Sequence, residues 1–92
     1  MIYKHEEYEI DLTKVTRLYP AALISAGGES ASVSLEWARM KEDKIFLEAY
    51  VLICDFDPVG EVPVNRIELK FETKEQLFLA MNDISILLKE EN

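Results

Sequence analysis

The sequence predicts an α+β fold in which one C-terminal α-helix packs on a bent antiparallel β-sheet of about five strands, arranged as a meander or a half-barrel. Three observations lead to this prediction. Polar and apolar residues alternate along several segments, as on strands with one buried face. Residues 45–56 are apolar at both parities, and residues 74–90 carry an apolar stripe at helical spacing. We expect a single domain over residues 1–92.

The first three strands are predicted at residues 6–12, 15–26 and 30–40. Gly27 and Gly28 separate the second strand from the third, and a glycine pair between two alternating runs favours a hairpin. Pro20 cannot donate to a strand ladder, so the second strand is expected to bend there or to lie at an edge. Trp37 shares the apolar parity of the third strand, which places it in the core or at an interface.

The fourth predicted strand, residues 45–56, is the most informative segment. Its odd positions are apolar and predict one face, formed by Ile45, Leu47, Ala49, Val51 and Ile53. Its even positions predict the opposite face, formed by Phe46, Tyr50, Leu52, Cys54 and Phe56. A strand with two apolar faces is covered on both, and one helix covers only one of them. Either the sheet wraps around itself or another molecule lies against the second face.

The chain is predicted to end with a strand at 62–72 and a helix at 74–90. Apolar parity changes near Asn65 and Arg66, which indicates a β-bulge there. Thr73 followed by Gln76 matches a capping box at the start of the helix.

Residues 66–89, a last strand running directly into a capped amphipathic helix, resemble the closing unit of pleckstrin-homology-like domains. The resemblance implies a strongly bent sheet with a helix at one open end. It also implies a binding module for proteins, peptides or lipid head groups, and it transfers no functional residue to this chain.

Composition limits the partners of this protein. Eighteen acidic residues against ten Lys or Arg give a net charge of −8, which argues against nucleic acid or an anionic membrane as the main partner. Cys54 is the only cysteine, so no internal disulfide can form and a reducing compartment is expected. We find neither a signal-peptide pattern at the start nor an apolar run of membrane-spanning length. These features predict a cytoplasmic location.

No pattern in the sequence predicts catalysis. His5 lies in a charged segment near the start and is interpreted as solvated, while Cys54 lies within an apolar strand beside an acid and is interpreted as a core residue. We therefore expect no enzymatic activity and no cofactor.

Asp55 and Asp57 are weak metal candidates. Their spacing with Gly60 matches the opening of a calcium-binding EF-hand loop. However, Val59 and Arg66 stand at two positions that should supply ligands. We interpret the segment as a turn. Four basic residues are weak anion candidates if they converge at one end of the sheet: Lys14, Arg17, Arg39 and Lys41.

The leading functional hypothesis is a non-catalytic interaction domain that self-associates, as a predicted homodimer, or docks a partner protein through an apolar sheet face. The candidate interface residues are Phe46, Tyr50, Leu52, Phe56 and Trp37. One alternative is an acidic inhibitor or immunity-like protein, whose charge would speed its encounter with a basic enzyme. A second alternative is a small-ligand binder with a pocket between sheet and helix.

Overall fold

The computed structural model describes residues 1–90 and confirms the α+β class. Its elements are β1 (Ile2–His5), β2 (Tyr8–Asp11), β3 (Arg17–Ala26), β4 (Glu29–Val33), α1 (Leu35–Met40), β5 (Phe46–Asp55), β6 (Arg66–Phe71) and α2 (Lys74–Glu90). A 3-10 turn, Leu12–Lys14, follows β2. Within the described part of the chain, neither helix combines the length and apolar character needed to cross a membrane. The last two residues of the domain predicted over 1–92 lie outside the described residues.

The main sheet is antiparallel and has the strand order β4-β3-β5-β6. Gly27 and Gly28 join β3 to β4 with φ values of 59° and 85°, as in the type I′ turns that close two-residue hairpins. The predicted hairpin is therefore confirmed. The connection from β4 to β5 passes β3 and contains α1, so the strands do not follow one another as in a meander.

The prediction of a strand over 30–40 is wrong beyond Val33. Ser34 ends the extended segment because its Oγ accepts a hydrogen bond from the backbone N–H of Trp37 at 3.1 Å, which caps α1. Leu35 and Ala38 lie three residues apart, so both turn towards the sheet. Trp37 turns away from it and is 41% exposed. Leu35 fits both the alternation of a strand and the spacing of a helix, and the capping by Ser34 selects the helix.

The prediction of one strand over 6–12 is also wrong. The first residues form a separate two-stranded hairpin, β1 with β2, whose turn contains Glu6 at φ 53°. Ile10 and Leu12 are buried against α2 and the main sheet, as the alternation predicted. Tyr8, predicted to point inwards with them, is exposed because it stands next to the turn.

Helix α2 covers one face of the sheet, as predicted. Leu77 and Ile84 from the helix pack with Leu52 and Leu69 from β5 and β6. Thr73 Oγ1 accepts a hydrogen bond from the backbone N–H of Gln76 at 3.1 Å, which confirms the N-cap. The Gln76 side chain accepts in return from the N–H of Glu72, one residue before the cap, at 3.1 Å.

The second face of β5 is covered by curvature of the sheet. Ala21, Val51 and Ile53 are buried on this face, although no helix packs there. Ser32 Oγ on β4 donates to Glu68 Oε1 on β6 at 2.7 Å. These two strands are three strand spacings apart, about 14 Å in a flat sheet. The sheet therefore curls enough to bring side chains of its two edge strands into contact, as in a half-barrel.

A bulge at Glu48 changes which side chains share a face. Leu23 pairs with Ala49 but Ile24 pairs with Leu47, so Glu48 has no partner on β3. In the residues before the bulge, each side chain points to the face opposite to the predicted one. Phe46 therefore lies on the curled face, which is the face of the sheet opposite α2, while Leu47 lies on the face that carries the helices.

The last strand begins at Arg66, not at residue 62, and the predicted bulge near Asn65 is absent because the preceding residues form a loop. Asp57 organises this loop. Its carboxylate accepts hydrogen bonds from the backbone N–H groups of Val64 at 2.8 Å and Asn65 at 2.7 Å. The Asp57 side chain thus accepts hydrogen bonds from backbone N–H groups that a longer strand would have paired with its neighbour.

Candidate interaction surface

The structure separates the five predicted interface residues into two groups. Leu52 is fully buried beneath α2, and Phe56 is half-buried against the same core. Leu52 therefore cannot contact a partner, which corrects its assignment as an interface residue. Trp37 and Phe46 are exposed, the latter at 68%, and Tyr50 is half-buried. Of the two predicted alternatives the structure shows the wrapped sheet: α2 covers one face of β5 and curvature covers the other around Val51 and Ile53, while Phe46 at the start of the strand stays exposed on that second face.

The exposed members lie in one short stretch of chain, residues 37–47. This stretch contains most of α1, a polar turn and the first residues of β5. Four large apolar side chains are exposed on it: Trp37, Met40, Phe46 and Leu47. We call this stretch together with β4 the α1 end of the molecule. These four side chains are neighbours in the chain, but Phe46 and Leu47 point to opposite faces of the sheet. Exposed apolar side chains mark a contact surface where they form a contiguous patch.

Strand β4 forms a free edge at the α1 end. In a two-residue hairpin the residues flanking the turn form a hydrogen-bonded pair, here Ala26 with Glu29, and pairs then alternate along the ladder. Ala31 and Val33 therefore bond to β3. The backbone N–H and C=O groups of Ser30 and Ser32 point away from it, towards the open edge.

Small, uncharged side chains leave this edge accessible. Ser30 Oγ donates to Glu48 Oε2 at 2.8 Å and Ser32 Oγ donates to Glu68, so both hydroxyls turn inwards over the curled face. Apart from Glu29, β4 has no charged side chain and no proline. It thus lacks the features that usually prevent one sheet edge from pairing with another.

The opposite edge, on β6, is protected. His5 Nε2 lies 3.1 Å from the backbone oxygen of Lys70, and the His5 ring packs on Phe71 with 4.5 Å between ring centres. His5 was predicted to be solvated. The β1–β2 hairpin instead holds it half-buried against the sheet, where it blocks part of this edge.

A partly open pocket of about 110 Å³ lies between α1, the sheet and the start of α2. Tyr50 lines it, and the Lys74 ammonium lies 5.9 Å from the centre of the Tyr50 ring. Arg39 and Glu42 also line it. This small apolar pocket adjoins the α1 end, because Leu47 belongs to both.

A larger cleft of about 480 Å³ lies between β1, the end of β6 and α2. It is open and mixed in polarity. Tyr3 lines it, and burial, followed by the nearby charge of Asp83, raises the pKa of the phenol. His5, Glu72 and Asp83 also line the cleft.

The carboxylates of the two weak metal candidates, Asp55 and Asp57, accept hydrogen bonds from other groups of the protein. Asp55 Oδ1 accepts a hydrogen bond from Arg66 Nε at 2.7 Å, and the Asp57 carboxylate is taken by backbone amides. These amides, chiefly that of Asn65, lower the pKa of Asp57. Among the side chains that the structure describes, no cluster of three or more His, Cys, Asp or Glu could hold a metal ion. Cys54 is free and buried, and burial raises its pKa to about 11.

The four weak anion candidates do not converge. Arg17 on β3 lies opposite Asp55 in the strand register, at the end of β5, while Arg39 lines the pocket beside the start of the same strand. A ten-residue strand is about 33 Å long, so the two groups lie far apart. Lys14 closes the 3-10 turn near Arg17, and Lys41 caps the C-terminal end of α1 near Arg39.

The β4 edge and Lys74 are not among the site residues predicted from the sequence. A usable signal for the edge was present, because residues 30–33 are small and uncharged between a turn and a capping serine. Lys74 could not be found this way, since only the packing of α2 places it near Tyr50. Comparison of the chain with protein-family models, curated proteins and solved structures gave no match.

Proposed function

We propose that this protein is a non-catalytic interaction domain that self-associates through its β4 edge. The observation that carries the proposal is the row of outward backbone N–H and C=O groups at Ser30 and Ser32. Such groups pair with another extended strand. A second copy of the chain provides one.

The sequence of β4 is compatible with pairing against itself. An antiparallel pair centred on Ala31 places Ser30 opposite Ser32 of the second copy, and Glu29 opposite Val33. No carboxylate then faces a carboxylate, which matters for two chains that each carry a charge of −8. Ala31 would face its own counterpart, where a small side chain fits the close approach of the strands. The same patch is used twice, as a two-fold interface requires.

The edge alone is short, so exposed apolar residues beside it must contribute. Five residues give about 17 Å of paired strand. Stable interfaces usually bury more than about 1,000 Å² in total, which strand pairing of this length does not provide by itself. Trp37 and Met40 on α1 follow β4 directly in the chain and supply exposed apolar surface. We therefore expect a dimer with a dissociation constant in the micromolar range, about 1–100 µM.

Several features support this assignment over catalysis. His5, Cys54 and Asp55 are each held by packing or by a structural partner. The free thiol of Cys54 supports the proposed cytoplasmic location, where such thiols stay reduced. The resemblance of the last strand and helix to pleckstrin-homology-like domains also supports a binding module.

The test is sedimentation equilibrium from about 1 to 500 µM protein, with Ser30→Pro and its matched control Ser30→Ala. Proline removes one outward N–H and leaves the ladder to β3 intact, because that N–H faces solvent at an edge. Alanine removes the same hydroxyl but keeps the N–H. We expect the wild type and Ser30→Ala to dimerise and Ser30→Pro to stay monomeric, with similar circular dichroism for all three. A monomeric wild type, or equal dimerisation of the proline variant, would overturn the proposal.

A further inference from the structure

We infer that the pocket between α1, Tyr50 and Lys74 binds a short aliphatic monocarboxylate. This inference does not depend on self-association, because pairing at β4 uses Ser30 and Ser32, which do not line the pocket, and because ligand binding has its own readout. The pocket offers an apolar interior together with two cations, and each feature restricts the ligand.

The interior accepts a small alkyl group. Its apolar lining comes from Ala22, Leu35, Ala38, Ile45 and Leu47. Its volume of about 110 Å³ is somewhat below the 150 Å³ of a cavity that holds benzene. An alkyl chain of about four or five carbons therefore fits. Nucleotides and most cofactors do not, because their sites have volumes of about 300–1,000 Å³.

Neither of the two cations at the pocket, Arg39 and Lys74, forms an ion pair with a described side chain, although Lys74 contacts the neutral ring of Tyr50. This is notable in a chain with eighteen acidic and ten basic residues. Glu42 is the one carboxylate in the lining, so the local charge remains positive inside an acidic protein.

Tyr50 connects the two parts of the site. Its ring is half-buried on the sheet, and Lys74 approaches it to 5.9 Å, which keeps the ammonium beside the apolar interior. A ligand with an alkyl group in the pocket can thus present its carboxylate to Lys74 and Arg39. Charge-assisted hydrogen bonds of this kind give the selectivity for an anion over a neutral molecule.

The test is an NMR titration of the full chain with sodium isovalerate, compared with acetate and with neutral isovaleramide. A ligand of this size has an expected dissociation constant of about 1 mM. Acetate lacks the apolar carbons and isovaleramide lacks the charge, so each should bind at least about tenfold more weakly. Shifts should centre on Leu47, Tyr50 and Ala38.

Variants assign the effect to the pocket. Arg39→Gln and Lys74→Gln should each weaken isovalerate binding about tenfold. Glu42→Gln should strengthen it, because a repelling carboxylate is removed. Lys41→Gln is the matched control: it removes a cation from the end of α1 that does not line the pocket and should change binding less than about twofold.

Three results would overturn the inference. The first is no shift at the pocket residues with isovalerate. The second is equal binding of isovaleramide, which would show that the cations do not select the ligand. The third is at least about tenfold tighter binding of an acetylated peptide ending in leucine, which would assign the pocket to a protein C-terminus.

Discussion

Replacing Arg66 by methionine would leave the carboxylate of Asp55 buried without a partner on either oxygen. Asp55 is 1% exposed, and its Oδ1 accepts from Arg66 Nε at 2.7 Å. Its Oδ2 is buried with no hydrogen-bond partner among the described residues. The same hydrogen bond raises the pKa of the Arg66 guanidinium, as expected for a cation stabilised by a carboxylate.

The expected loss of stability follows from the burial of the two partners. Removing one member of a buried ion pair costs about 3–5 kcal/mol. The side chain of Arg66 is 35% exposed, so water can partly replace it and the lower limit, about 3 kcal/mol, applies. A chain of 92 residues has a total stability of about 5–14 kcal/mol. The substitution should thus lower Tm by about 15 °C.

Urea denaturation followed by circular dichroism measures this effect, with Arg17→Met as the matched control. Arg17 lies over the same Tyr19 ring, at 5.4 Å against 6.0 Å for Arg66, but belongs to no ion pair in the described structure. Its replacement should cost less than about 0.5 kcal/mol.

The decisive observation is a change of sign at Asp55. In the wild type, Asp55→Asn should destabilise the protein, because it weakens the bond to Arg66. In the Arg66→Met background, Asp55→Asn should stabilise it, because it removes an unpaired buried charge. If Asp55→Asn has the same effect in both backgrounds, the two side chains are not coupled and the reasoning is wrong.

Two further predictions concern titration. The pKa of Asp57 is lowered in the folded protein, so the stability that its carboxylate contributes is present above the unfolded pKa of about 3.9 and is lost as the pH falls through the lower folded pKa. Urea midpoints measured between about pH 5 and pH 2 should therefore fall more steeply for the wild type than for Asp57→Asn. Parallel curves would contradict this. Burial, followed by the charge of Asp55, raises the pKa of the Cys54 thiol to about 11. The thiol should therefore react slowly with a disulfide reagent at about pH 8 and rapidly once urea unfolds the chain. Fast reaction of the native protein would show that the strand opens.

Sequence patterns correctly predicted the elements that depend on residues close together in the chain. The stripe and the Thr73 cap predicted α2 with its observed bounds, and the glycine pair predicted the hairpin of β3 with β4. Short signals that compete within a few residues were misjudged. Ser34 converts an alternating segment into a helix, and the Asp57 carboxylate replaces part of the last predicted strand with a loop.

The candidate site was predicted only in part, because exposure depends on packing between distant segments. Trp37 and Phe46 are exposed and Tyr50 is half-buried, but Leu52 is covered by a helix that begins 22 residues later in the chain. No residue pattern indicates the bulge at Glu48, which moves Phe46 to the other face.

The sequence by itself determined that β5 must be covered on both faces, because twelve successive positions left almost no polar side for water. Only the tertiary structure decided how each face is covered: α2 lies on one, and the sheet curls over the other until Ser32 meets Glu68. The physical reason is that hydrophobicity is a local property of the chain. Strand order, register and curvature depend instead on contacts between residues far apart in sequence, such as these two, 36 positions apart.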